Sequence, residues 1–270
     1  MIKFFRQIRQ NLLFENPPAK ANERADKTDL PGEDSAKAGK PAMSGRYLKY
    51  AIGEIVLVML GILLALQVNN WNENRKLQQE ELRLLLEVKS NFEVTLLNFK
   101  NDSTFNQETI HQYAKIKHYI EEDLTYDREL DTAFGLLKSW RSPYPIYTAY
   151  MTLKTKGLDV ISNSSLRNKI VNMNEYEFTR LITDYDKAEW ILYQEVVLPF
   201  YLKHLRIYRE NSNTLAKPTD FEFLKDSDEL SNLLELLLNE RESGLIMYNK
   251  IMLDIKDLIK FIDDELINRV

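Results

Sequence analysis

Histidine and carboxylate carry the widest chemical range in this sequence, and their spacing restricts what they can do. The three histidines are His111, His118 and His204. His111 and His118 are seven residues apart, so a helix puts them on one face but about 10 Å apart, too far to share a metal ion. The carboxylate groups Glu121-Glu122-Asp123, Asp226/Asp228/Glu229 and Asp263-Asp264-Glu265 contain hard-cation ligands, yet none has the glycine turn and alternating ligands of a calcium loop. They read as solvated helix ends. The absence of cysteine excludes disulfides, cysteine zinc sites, iron–sulfur clusters and thiol nucleophiles. No glycine-rich strand–turn–helix and no phosphate-loop lysine occur among the eight glycines' surroundings, so no nucleotide site is expected. No catalytic residue, metal ligand or cofactor is assigned, and the chain reads as non-enzymatic. The most site-like group is aromatic: Trp140, Tyr144, Tyr147 and Tyr150 surround Pro143 and Pro145. Amphipathic rings beside a rigid turn can line a pocket or a partner surface, or simply cap the end of a helical domain.

The element that positions everything else is the run Ala51–Val68, AIGEIVLVMLGILLALQV, eighteen residues with Glu54 and Gln67 as its strongly polar members. At 1.5 Å per residue it covers about 27 Å, close to the hydrocarbon thickness of a bilayer. This predicts a transmembrane helix over residues 47–70. The run starts too deep in the chain for a cleaved signal peptide. Glu54 lies one turn inside its start, within reach of the headgroups. Lys37, Lys40, Arg46 and Lys49 precede the span, whereas five residues free of cations, Asn69 to Glu73, come after it. The positive-inside rule then places the N-terminus in the cytoplasm and the C-terminal domain outside the inner membrane, with Tyr47, Tyr50 and Trp71 at the interfaces. Gly53, Leu57, Gly61 and Ala65 recur every four residues, the small-residue spacing of a span dimer face. The lipid bilayer, an envelope protein and a second copy of the chain are the candidate partners.

Residues 1–15, MIKFFRQIRQNLLFE, are expected as a basic amphipathic helix on the membrane surface, with Lys3, Arg6 and Arg9, together with Arg46 and Lys49, facing anionic lipid. Residues 16–44 have too few large apolar side chains to offset ordering and are expected as a disordered linker. Residues 1–50 carry ten Lys+Arg against six Asp+Glu, and 51–270 carry 26 against 35. An acidic domain gives no nucleic-acid footprint.

Residues 71–270 are expected as an all-α domain, a four-helix-like bundle with one broken helix. A long helix runs from Glu73 to about Glu122, with a weak point at Asn101-Asp102-Ser103-Thr104. A short helix around Glu129–Trp140 precedes the break at the prolines, and Gly157 caps the next helix. Ser162 to Ser165 can cap a third, with Leu166, Ile170, Met173, Leu181, Tyr185, Ala188, Leu192 and Val196 on its stripe. Pro199 should end or kink that helix near Leu198. Asn211-Ser212-Asn213 and Pro218 read as a loop. The last helix opens on an Asp226-x-x-Glu229 capping box and carries a 3/4 apolar progression from Leu230 to Leu266, interrupted at Arg241. If directions alternate, Val270 returns towards the membrane.

Two stretches carry a resemblance. MIKFFRQIRQNLL with GRYLKYAIGEIVLVMLGILLALQVNNWNENRK, Gly45–Lys76, closely resembles the opening of a family of single-span Bacteroidota proteins known only as a domain of unknown function, and AYMTLKTKGLDVISNSSLRNKIVNMNEYE, Ala149–Glu177, is similar to its mid-domain pattern. The resemblance implies an inner-membrane protein and supplies no activity. The linker 16–44 is longer than that pattern leads one to expect. In such a host the O-glycosylation pattern Asp-Ser/Thr-small or apolar becomes relevant, and Asp102-Ser103-Thr104 and Asp131-Thr132-Ala133, with Ser103 and Thr132 as the acceptors, fit it. The resulting reading is a membrane-anchored interaction or sensor-like module of the cell envelope. Its rival is a small-ligand receptor or enzyme using the Trp140–Tyr150 region.

Overall fold

A computed structural model describes residues 45–268. Helix makes up 81% of the structure. The basic helix expected at 1–15, with Lys3, Arg6 and Arg9, the linker 16–44 and Val270 lie outside the described residues.

Helix α1 spans Gly45–Glu121, 77 residues. It is long and apolar enough to cross a membrane. Every residue from Ala51 to Val68 is exposed, including Gly53, Leu57, Gly61 and Ala65. Burial begins further along, at Glu81, Leu84, Leu85, Val88, Phe92 and Phe99. The weak helix formers Asn101–Thr104 do not interrupt α1. Thr104 Oγ1 donates back to the Lys100 carbonyl at 2.9 Å, and Asp102 and Ser103 are buried against the rest of the domain.

The segment after α1 supplies two short helices, α2 (Leu130–Leu136) and α3 (Thr148–Lys156), in place of another long one. It runs back along α1: Asn91 Nδ2 donates to Thr148 Oγ1 at 3.0 Å, and Lys156 pairs with Glu80. Gly157 ends α3 at φ +101°, a backbone state that a side chain would strain. Asn163 then caps α4, its side-chain oxygen accepting from the N–H groups of Ser165 and Leu166.

Helix α4 covers residues 164–204 and contains three π-helical turns, Met173–Glu177, Leu181–Asp186 and Tyr193–Val197. Each π turn accommodates an extra residue and rotates the helix beyond it. The buried face therefore leaves the expected stripe at Ala188, Leu192 and Val196 and passes to Glu189, Val197, Phe200 and Tyr201. Pro199, expected to end or kink the helix, does not end it. Proline lacks an N–H and crowds the preceding turn, and the π turn immediately before it carries the helix on to His204.

The segment expected as a loop is an antiparallel β-hairpin, so the domain is mostly helical without being all-α. Strand β1, Leu205–Glu210, pairs with β2, Asn213–Pro218. Asn211 and Ser212 both take positive φ, 47° and 67°, the requirement of the tight turn that matches strand twist. Asn-Ser is a weaker signal for that turn than Asn-Gly. Helix α5, Phe221–Lys225, and α6, Asp228–Ile267, complete the chain. The cap of α6 is Ser227, whose Oγ accepts from the Glu229 N–H at 3.1 Å, and not Asp226.

Helix α6 is antiparallel to α1, as the pairs Lys89–Asp263 and Lys117–Glu235 show. It is also antiparallel to α4, which it meets through Lys250–Glu177 and Asn163–Glu265. Two apolar clusters fill the space between these elements. One contains Leu84, Phe92, Phe99, Phe178, Tyr248 and Ile255. The other contains Tyr113, Phe134, Phe200, Phe221, Leu230 and Leu237.

Candidate functional site

Polar side chains are concentrated where the two clusters meet. Asp102, Asn106 and Thr109 recur at helical spacing on α1, and all are buried. Asn106 Nδ2 donates to the Tyr185 hydroxyl at 2.9 Å, and the Tyr113 hydroxyl donates to the Leu136 carbonyl at 3.0 Å. From α6, Arg241 reaches inward and pairs with Glu189 of α4. Their side chains are 1% and 2% exposed, so the pair is fully withdrawn from water. A second guanidinium nitrogen of Arg241 donates to the Ser139 carbonyl at 2.8 Å. One turn along α6, Gly244 leaves the space that the Tyr185 ring fills. A Cβ there would fall 2.4 Å from a Tyr185 ring carbon.

Ser139 opens the loop that forms the outer wall of this layer. Asp102, Lys138, Ser139, Trp140, Arg141, Ser142 and Tyr144 line an open groove of about 560 Å³. Trp140 Nε1 donates to Asp186 Oδ1 at 3.2 Å, and its ring packs on Tyr193 and Trp190 with centroids 5.0 and 5.8 Å away. The Arg141 guanidinium lies 4.9 Å from the centre of the Phe105 ring, and Lys138 Nζ lies 5.3 Å from that of Tyr201. Burial raises the Asp102 carboxyl above its ordinary pKa, with the Arg141 charge and the Tyr248 hydroxyl acting in the opposite sense. The groove thus offers a buried carboxyl, two cations and two aromatic rings.

The four aromatic residues expected together divide between two places. Trp140 and Tyr144 line the groove, Tyr144 being 73% exposed. Tyr147 stacks edge-on against Phe178, and Tyr150 is buried with its hydroxyl donating to Glu175 at 2.6 Å. These two support the first apolar cluster. The groove gains its charge from Asp102, Lys138 and Arg141 instead. Arg241 was visible in the sequence as the interruption of the α6 stripe, whereas Glu189 was hidden by the π turns that bring it inward.

Other sequence candidates stay apart. His111 and His118 are exposed on α1. His204 is buried beside Glu229, with Nε2 3.0 Å from Oε2. No group of three or more metal-ligating side chains occurs among the described residues. Ser103 is buried and Thr132 exposed. Lys49 is exposed, and Arg46 lies in the first turn of α1.

Residues 54–197 match a family of unknown function, DUF6090, over more than half of the chain. The chain belongs to this family. The DUF6090 match takes in the apolar stretch from Glu54, the groove and Glu189. It ends before the hairpin and α6, so Arg241 lies beyond it. No curated protein and no solved structure matches the chain.

Proposed function

We propose that this DUF6090 protein is a non-enzymatic, single-pass protein of the inner membrane. Its N-terminus is cytoplasmic, and its helical domain, a four-helix-like arrangement with one broken member, recognises a partner in the cell envelope. The observation that supports this reading is the contrast along α1. All of Ala51–Val68 is exposed, while the domain closes two apolar clusters with its own residues. An exposed apolar surface of that length needs lipid or another span to cover it. The glycines at 53 and 61 have open space around them, which suits a second copy packed along Gly53, Leu57, Gly61 and Ala65.

Alkaline carbonate washing tests the anchor, and the chain is expected to stay with the membrane pellet. Release of the intact chain overturns the reading. Crosslinking of the full chain in its native host, with identification of the captured proteins, tests the interaction role. A second reading, a small-ligand receptor, is favoured by the convergence of Asp102, Lys138 and Arg141 beside Trp140. Recovery of a tight small-molecule ligand with no protein neighbour favours that one instead.

A further inference from the structure

The hairpin carries a charge arrangement that its own fold does not satisfy. The strand register sets Arg206 directly opposite Lys217, so two cations share one face of a two-stranded ribbon. Like charges in that position repel. Among the described residues, neither has a carboxylate within ion-pair distance. Two acids close to them, one on the same strand and one in the same recess, are already engaged. Glu210, on the same strand, pairs with Arg128. Asp131, at the start of α2, is 3% exposed and accepts from the hydroxyls of Tyr126 and Tyr208, one on each oxygen.

These residues enclose a recess of about 390 Å³ lined by Tyr126, Arg128, Asp131, Arg206, Tyr208 and Lys217. The hairpin that forms one wall is closely packed from behind. The opposite face of the hairpin carries Ala216, fully buried, and Gly135 of α2 packs so close to β2 that an added Cβ would lie 2.8 Å from the Thr214 carbonyl oxygen. The cations are also a local exception. Residues 203–217 contain Lys203, Arg206, Arg209 and Lys217 against the single acid Glu210, in a chain whose net charge is −5.

We propose that this recess binds an oxyanion of the phosphate or sulfate class, held between the Arg206 guanidinium and the Lys217 ammonium. A planar guanidinium fork matches two oxygens of a tetrahedral anion, and an ammonium takes a third. The doubly charged anion replaces the repulsion across the ribbon with two attractions. Asp131 disfavours an anion deep in the recess, which leaves the Arg206–Lys217 edge as the place of contact. This site stands apart from the Trp140 groove and does not rest on the membrane reading.

The test uses the full-length chain in detergent, with inorganic phosphate, sulfate and a sugar phosphate ester as probes, each against chloride at equal ionic strength. Calorimetry is expected to show saturable binding, and thermal unfolding a Tm rise beyond that in chloride. Lys217→Glu is the informative variant. It turns the repulsive pair into an attractive one, so its Tm in chloride is expected to rise while the probe-specific binding is lost. Binding of the ester alone assigns an organic phosphate, and binding of all three a free oxyanion. Absence of saturable binding by every probe, or undiminished binding by the Lys217→Glu chain, overturns the proposal.

Discussion

The apolar cluster around Phe92, Phe99 and Phe178 is assembled chiefly from α1, α4 and α6, with α3 along one side. The cluster around Phe134, Phe200 and Phe221 draws on the same three helices but is closed by α2, the hairpin and α5. The first is held by repeated helical spacing, where every third or fourth residue adds a further contact. The second depends on short elements that cannot form alone, and each is stabilised by its packing partners. Between them lies the polar layer of Asp102, Asn106, Glu189 and Arg241. A single chain can therefore carry one end that tolerates local change and one whose pieces stand or fall together.

The most damaging test of this contrast strikes the layer that both ends share. Glu189→Ala leaves the Arg241 charge buried without its partner and is expected to cost about 3–5 kcal/mol in denaturant unfolding, because a buried unpaired charge keeps its desolvation penalty. The paired apolar change Glu189→Leu/Arg241→Met is expected to recover that loss. A double variant as unstable as the single one would mean that the pair does more than balance charge. A smaller effect separates the two ends. Gly135→Ala forces α2 away from the β2 backbone and is expected to cost about 1–3 kcal/mol by overpacking. Hydrogen exchange should accelerate in residues 205–218 and remain slow from Leu84 to Phe99. Equal acceleration at both ends would remove the distinction.

The smallest effect is a pH dependence at the groove. Burial raises the Asp102 carboxyl above its ordinary value of 3.8, so the folded chain holds this proton more tightly than the unfolded one. The contribution of Asp102 to stability is then most favourable below pH 3.8 and falls as pH rises through the folded value. Asp102→Asn removes that loss. Its thermal unfolding should come above that of the parent near neutral pH, with the gap closing as pH drops below 3.8.

The same contrast explains how much could be read from the residues alone. Long apolar periodicity revealed α1, α6 and the start of α4, and the exposed stretch Ala51–Val68 stood out by length and composition. The Asn163 cap and Gly157 turn were also legible, because each rests on local chemistry. The hairpin was not. Its turn is Asn-Ser rather than Asn-Gly, and its strands show no clean alternation, with Leu205 and Ala216 buried among exposed neighbours. The aromatic group divides between groove and core because proline marks where a chain bends and not which way the rings after it face. Tyr147 and Tyr150 turn into the core on α3 and its entry.

The three wide turns of α4 bear on how this protein can change length. A residue gained or lost inside an ordinary helix slides everything beyond it along the axis and strips the partners from both sides. Here an additional residue has been absorbed three times as a local swelling of the coil, with Pro199 lodged directly behind the last. A swelling of this kind confines the change to one turn, so the two ends of the rod, and whatever is fastened to them, keep their places.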